Sequence, residues 1–505
     1  MLEGFDQQGF LINMAYLKIL DPHGNRIKAQ SSTYEAAGFT RRLNLWGTST
    51  LGPDASLYGS LATLRARSRE LVRNDPLAGA GLDTLVSNLV GSGISPRWQL
   101  SDATLKAQLQ QLWADWAMQC DHDGIADFYG MQALAARSMI ESGEVLIRFL
   151  PQRPGRMAVP LKIQIIEADH LDETYSTTLD NGREIRMGIE FDASGRRVAY
   201  HLFKDHPGEA FITADTVTRV RIPASEILHV YRPLRPGQKR GRPWLSAVIT
   251  TLHELNKYLD AEQVRKSSTA MFGGFVTVPP EGIDSVPDIL GQSGIDATGQ
   301  EVLALEPGSF PTLPPGMDVK FSEPADVGGS YEAFVKHMER RIARGFGGLT
   351  YEKLSGDLSG VNYSSIRAGN LEFQRFCLQI IGNVLAFQLC QPVARYWIDQ
   401  AVLSGAVKII DFIEHRQQYY RIKWCPDGWP WVDPEKDLKA EQMAIRSGLK
   451  SRAEAVAERG RDVEEVDMEQ AEDNWRTDAL GLSYDSDGRR AKDAGIPTQE
   501  PSNNE

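Results

Sequence analysis

The sequence predicts an α+β protein in which helices and strands occupy separate stretches of chain. Three observations lead there. Apolar residues recur at three- and four-residue spacing from Leu57 to about residue 142. Between residues 144 and 231 the runs become short and β-type, with turn signals between them. From Pro243 the helical period returns and dominates the remainder.

Each element has its own local reason. Residues 1–55 have irregular apolar spacing and are punctuated by Gly47, Gly52 and Pro53, so they read as a loose arm. A helix is expected from Leu57 through LYGSLATLRARSRELVRND. The next has Asp75 as N-cap, Pro76 at its first position and Gly91 as its stop. Leu105, Leu109, Leu112, Trp113 and Trp116 share one face of a third helix, and residues 131–142 form a fourth. The β-type runs are EVLIRFL, LKIQIIEADHLD, EIRMGIEFD, RRVAYHLFK and EILHVYR. A helix of 29 residues follows from Trp244, amphipathic in its first half and polar in its second, and Gly273-Gly274 ends it. Residues 275–328 are rich in Pro and Gly. YEAFVKHMERRIARGF is helical, a Gly-rich loop separates it from a helical run over Tyr363–Leu403, and Asp433-Pro434-Glu435 opens a charged helical tail. The last 25 residues are polar and read as disordered.

Composition narrows the function classes. The chain has 505 residues, 42% apolar and 24% charged, which is ordinary for a globular protein of several domains. Its four cysteines lie far apart with no C-x-x-C pair, which excludes a disulfide scaffold and suits a reducing compartment. The N-terminus lacks a basic stretch followed by a clean apolar core, so it does not read as a signal peptide. Net charge is −12, and −8 of it falls after residue 432, where 19 Asp and Glu face 11 Lys and Arg. Free-standing DNA-binding domains carry the opposite balance. Phe376–Ala394 has no charge over 19 residues, but Gln379, Asn383, Gln388 and Gln391 need partners that lipid cannot supply, so it reads as a buried helix.

Catalytic signatures are sparse. There is no phosphate-cradling G-x-x-x-x-G-K-[ST] and no G-x-S-x-G elbow. Cys120-Asp121-His122-Asp123 reads as a turn, because adjacent residues rarely aim at one ion. Glu167, Asp169, His170, Asp172 and Glu173 read as a charged loop after a strand. Asp427, Asp437 and Lys439 carry the residue types of a metal-dependent nuclease, but Asp437 falls on a helix opened by Pro434. No catalytic residue, cofactor or metal is expected. The basic segment with Arg232, Arg235, Lys239, Arg240 and Arg242 suits a subunit interface or a phosphate contact, and Arg340, Arg341 and Arg344 carry the same alternatives. No aromatic residues interleave with these clusters to stack bases.

Five blocks, in order, resemble the lambda-type family of tailed-phage portal proteins. They are RSRELVRNDPLAGAGLDTLVSNLVGSGISP, IIEADHLD, HVYRPLRPGQKRGRPWLSAVITTLHELNKYLDAE, FGGLTYEKLSGDLSGVNYSSIR and WVDPEKDLKAEQMAIRSGLKSRAEAVAERGRD. Asp75 stands where the family pattern has a second Asn, and Asp caps a helix equally well. The resemblance implies a ring-forming portal fold with a β-rich wing, a long-helix stem, a small αβ clip and a helical crown. Laid on this chain it gives an N-terminal arm (1–55), wing (56–242), stem helix (243–272), clip (273–328) and second stem helix (329–345). A tunnel loop (346–362), a long wing helix with a β segment (363–432), the crown (433–482) and a disordered tail (483–505) complete it.

The implied role is a ring, of about twelve copies, at one capsid vertex, through which double-stranded DNA is packaged and ejected. Its implied partners are further copies of itself, the terminase large subunit, the major capsid and scaffold proteins, head-completion and tail connector proteins, and DNA passing without sequence recognition, with no membrane. It is implied to sit in the virion after assembly in the host cytoplasm. Tyr351, Lys353 and Asn362 are the tunnel residues expected to face DNA; Arg232, Arg235, Lys239, Arg240 and Arg242 are expected at the subunit interface. A head–tail adaptor without a packaging role is the alternative, and a metal-dependent nuclease the enzymatic one.

Overall fold

In a computed structural model, residues 47–209, 218–271, 293–295, 301–303, 330–429 and 433–484 are described. The chain divides into two units, Met1–Gly52 and Pro53–Glu505. The described part of the first, residues 47–52, carries no regular element. The expected arm (to residue 46), most of the clip segment and the tail from residue 485 lie outside the described residues.

The second unit opens with three helices, α1 (Pro53–Leu57), α2 (Leu61–Asn74) and α3 (Pro76–Leu89). The helix expected from Leu57 starts only at Leu61; α1 falls mostly in the stretch read as a loose arm, and a turn at Gly59 and Ser60 separates it from α2. The start of α3 is as the sequence dictates: Asp75 Oδ1 accepts the Ala78 N–H at 2.8 Å, with Pro76 at the first position. Strand β1 (Ser95–Trp98), α4 (Ala103–Ala117) and α5 (Phe128–Ser142) follow. Trp98, Trp113 and Trp116 from these elements meet Trp397 and Phe128 at the centre of the core. Trp116 Nε1 donates to the Leu161 carbonyl at 2.8 Å, so this indole is buried with its polar atom satisfied.

The strands form two main sheets. β2 (Glu144–Pro151), β3 (Leu161–Glu167) and β9 (Ile227–Tyr231) make an antiparallel sheet in the order β3-β2-β9. As the central strand, β2 buries residues on both faces, which explains its continuous apolar run. β4 (Thr177–Thr178), β5 (Glu184–Arg186), β6 (Ile189–Phe191), β7 (Arg197–Phe203) and β8 (Arg219–Pro223) form an antiparallel meander. The run EIRMGIEFD was expected as one strand. It is a hairpin, turned at Met187 and Gly188, both with positive φ.

Helix α6 (Ile249–Met271) follows a short 3₁₀ turn, Trp244–Ala247. Of the segment 273–328 two short strands are described, β10 (Ser293–Ile295) and β11 (Glu301–Leu303), paired antiparallel. α7 (Ser330–Gly345) packs on α6, with Tyr258 against Tyr331 and Phe334. The loop after it is not featureless: α8 (Tyr351–Ser355) is capped by Thr350 and ends at Gly356. α9 (Tyr363–Ile380), a ten-residue π-helical stretch (Ile381–Cys390) and α10 (Gln391–Leu403) run on as one long helix. Its most apolar 18-residue stretch has a mean hydropathy of 1.4, which would suit a membrane, yet Phe373, Cys377, Ile381, Leu385 and Leu389 are buried in the protein core. Two of its amides find protein partners. Gln388 accepts the Tyr231 N–H at 3.1 Å, and Gln391 bonds both the Tyr420 carbonyl and Trp424 Nε1. After α11 (Phe412–Tyr419), β12 (Ile422–Cys425) pairs with β1, tying the late chain to the early chain. α12 (Pro434–Arg446), α13 (Arg452–Ala457) and α14 (Val463–Ala479) complete the described chain.

One buried carboxylate joins these layers. Glu144, at the start of β2, is fully buried. Its Oε1 receives Arg240 at 2.6 Å and Arg65 at 3.3 Å, and its Oε2 receives His229 Nε2 at 2.9 Å and the Gly241 N–H at 2.7 Å. Arg240 also donates to the carbonyls of Met187 and Leu171, so the same guanidinium holds the meander to the three-stranded sheet. Despite the burial cost, the Arg240 charge and the His229 hydrogen bond hold the Glu144 carboxyl well below its usual range. Burial pushes the His229 imidazole down to about 4.

Two outcomes follow. Glu144→Ala leaves Arg65 and Arg240 buried without their carboxylate, and chemical denaturation should show a loss of about 3–5 kcal/mol. The depressed His229 is neutral in the folded protein but takes up a proton below about pH 6.5 when unfolded. Stability is therefore full above that pH and falls as pH drops towards 4. Thermal melts should decline from pH 7 to 5, and His229→Gln should flatten part of that slope. His201, which burial also lowers, contributes in the same direction.

Candidate functional site

The basic segment 232–242 was expected to face outward as a block. The structure divides it. Arg240 has no exposed surface, and its guanidinium is committed to Glu144, Met187 and Leu171 within the chain. It is therefore a core residue and offers nothing to a neighbouring subunit. Arg232 is half-buried between the rings of Trp244 and Phe376, at 5.3 and 5.1 Å. Lys239 lies 4.7 Å over Phe191. Arg235 and Arg242 are exposed. The segment is held by close backbone packing: a Cβ on Gly143, which has a φ of +93°, would sit 2.3 Å from the Arg242 carbonyl carbon.

The loop 346–362 is anchored at both ends and in the middle. Phe346 and Leu354 are buried against Gly81 of α3, where a Cβ would come within 2.7 Å of the Phe346 ring and 2.9 Å of Leu354. Asp357 then gathers its surroundings. It accepts from Ser359 through both N–H and Oγ and from Tyr351 Oη at 2.9 Å, and it lies 3.4 Å from Lys336 of α7. These partners hold its carboxyl well below the usual range, the Ser359 hydroxyl most of all.

The three tunnel candidates take intrachain roles here. The Tyr351 hydroxyl serves Asp357. Lys353 is half-buried 5.0 Å over Phe373, and burial lowers its pKa. Asn362 is the N-cap of α9, its Oδ1 accepting the Ser365 N–H at 2.9 Å. Asn362 remains exposed, but its side chain is already committed.

The other constellations resolve into structural roles. Asp121 accepts the N–H groups of Asp123, Ile125 and Ala126, which fixes the turn beside Cys120. Cys120 is buried, and burial pushes its thiol up to about 12. Glu167 and Asp169 come together with His206, their ligand-type atoms within 4.8 Å of one another, the one such trio among the described residues. Arg69 already binds both carboxylates, at 3.2 and 2.5 Å, so a guanidinium fills the place a cation would take. Asp427 and Asp437 line one groove of about 680 Å³, but they face different partners. Asp427 accepts from the Ser92 N–H and hydroxyl, Asp437 pairs with Arg367 at 2.7 Å, and Lys439 pairs with Glu435. The residue types of a nuclease are present without its convergence.

Sequence reasoning missed Glu144. Its signal was a lone acid opening an apolar strand directly after a glycine.

The family model for phage portal proteins, lambda family, matches residues 39–380, about two thirds of the chain. The match makes this a phage portal protein by class. Within that class the chain belongs to the lambda family. It is 32% identical over 464 residues to a probable portal protein of Halomonas phage phiHAP-1, covering 89% of this chain and 88% of that one. It is 22% identical over 516 residues to portal protein B of Escherichia phage lambda, covering 95% and 96%. Among solved structures, a chain from the neck of an empty GTA particle computed with C6 symmetry aligns at a TM-score of 0.44. Its identity is 16%, over 79% of this chain and 93% of that one.

Asp357→Ala removes the group that ties the loop to α7. Amide exchange should accelerate across residues 350–362 while the global melting temperature stays close to wild type, because the loop's buried anchors, Phe346 and Leu354, are untouched.

Proposed function

We propose that the protein assembles into a closed ring of about twelve copies at one capsid vertex, and that double-stranded DNA is packaged and ejected through its channel. The observation that carries this reading is the family match over residues 39–380, which takes in every element from α1 to the end of α9. The surface supports self-association. Phe387, Ile410, Ile413 and Trp475 are large apolar side chains more than 70% exposed in the single chain. Such groups favour burial against a partner, and a ring repeats one heterologous interface around an axis.

In this reading residues 56–242 form the wing, 243–272 and 329–345 the stem helices, and 273–328 the clip. Residues 346–362 form the tunnel loop, 363–432 the long wing helix and β segment, and 433–482 the crown. The clip docks the terminase large subunit during packaging and head-completion and tail connector proteins afterwards. Major capsid and scaffold proteins hold the ring in place. The protein works in the virion after assembly in the host cytoplasm, as a structural component without catalysis, cofactor or metal. The separate commitments of Asp427, Asp437 and Lys439 support a non-enzymatic role.

Native mass measurement should give one closed species of about twelve times 56.1 kDa, persisting across salt conditions. A lone 56.1 kDa chain at high concentration would sink the ring.

A further inference from the structure

The strongest unexplained charged surface among the described residues lies on α7. His337, Arg340, Arg341 and Arg344 are exposed along one side of this helix, while Ile342 and Ala343 are buried on the other. Spacings of three and four residues place these side chains in one row, each about 1.5 Å further along the axis per residue. Arg375 of α9 extends the row. It is exposed, and it follows by one turn Glu372, whose carboxylate meets Arg344 at 3.1 Å. Arg341 and Arg375 make no ion pair among the described residues. Arg340 is held 5.2 Å over the Tyr351 ring, which joins the row to the loop 346–362.

Intrachain contacts explain only part of this arrangement, Arg344 through Glu372 and Arg340 through the Tyr351 ring. Like charges three and four residues apart on a helix repel. The chain carries a net charge of −12, yet it sets four guanidiniums here against Glu372. By contrast, Arg240 and Arg65 are consumed by buried acids. A row of exposed guanidiniums suits a linear polyanion, since each planar fork can take a phosphate oxygen pair. From His337 to Arg344 there is no Phe, Tyr or Trp to stack a base, so the contacts of this row are to backbone and carry no sequence information.

We propose that Arg341, Arg344 and Arg375, with Arg340 beside them, contact the sugar–phosphate backbone of the double-stranded DNA. This rests on the DNA-channel reading above. It moves the DNA-contacting role from Tyr351, Lys353 and Asn362 to the neighbouring helix face.

The test uses the assembled full-length protein and a short labelled duplex of random sequence. Wild type is compared with the triple variants R341E/R344E/R375E and R341Q/R344Q/R375Q. All three side chains are exposed, and the Gln set adds no new repulsion. Native mass should be the same for all three proteins. Binding at about 50 mM salt should fall about tenfold or more in both variants, and the slope of log affinity against log salt should become less negative by about 0.9 for each phosphate contact removed. If both variants lose the oligomer, the row belongs to a contact with a second copy and the proposal is wrong. If the oligomer persists and the salt slope is unchanged, the proposal is wrong while the channel reading stands. If the wild-type oligomer itself fails to bind the duplex at low salt, the channel reading and the proposal fall together.

Discussion

The Glu144 carboxylate is the constraint on which the rest of the described fold hangs. It sits fully buried at the start of the central strand and takes hydrogen bonds from four residues on three separate stretches of chain: Arg65 of α2, His229 of β9, and Arg240 and Gly241 of the segment that follows. A buried charge is costly unless paired and hydrogen-bonded, so removing any one donor exposes the cost of the others. That mutual dependence fixes the relative position of both sheets and of the connection leading into α6. The charge balance extends outward through Arg65 to Asp169 at 3.4 Å, and Asp169 is shared with Arg69. Ion pairs shared in this way favour one arrangement of their members, although Arg65 Nε and His229 Nδ1 stay buried without a hydrogen-bond partner.

Beside this rigid node, the loop 346–362 is built differently. Its apolar anchors, Phe346 and Leu354, lock its first half to α3, whereas its second half depends on polar contacts to Asp357 at the surface. Surface polar contacts are exchanged with water at little net cost, so the second half can rearrange while the anchors hold. A portal protein of the lambda family thus carries, within one chain, a node that resists movement and a segment that tolerates it. The α7 arginine row lies between them in chain order, on a helix tied to α6 by the Tyr258 ring contacts.

Much of the fold was legible because its signals are local. Asp75 and Pro76 start α3, Asp433 and Pro434 start α12, and the period changes near residues 144 and 243 where strands begin and end. The misses share one cause. The Met187–Gly188 turn, in a run that reads as a continuous strand, is held by Arg240 reaching across from 53 residues away. Helix α8 inside the Gly-rich loop depends on Leu354 finding the bare face of α3 at Gly81.

The sequence by itself determined the α+β class, the order of elements and, through five ordered blocks, the portal family, because caps, periodicity and motif order are properties of neighbouring residues. Only the tertiary structure decided what each charge does. Arg240 and Arg341 sit in basic clusters that look alike in sequence, yet one is buried against a carboxylate 96 residues away and the other is left facing outward. Whether a cation is spent inside the chain or offered outside it depends on which acid the fold brings within reach, and that distance is set by the packing of layers rather than by spacing along the chain.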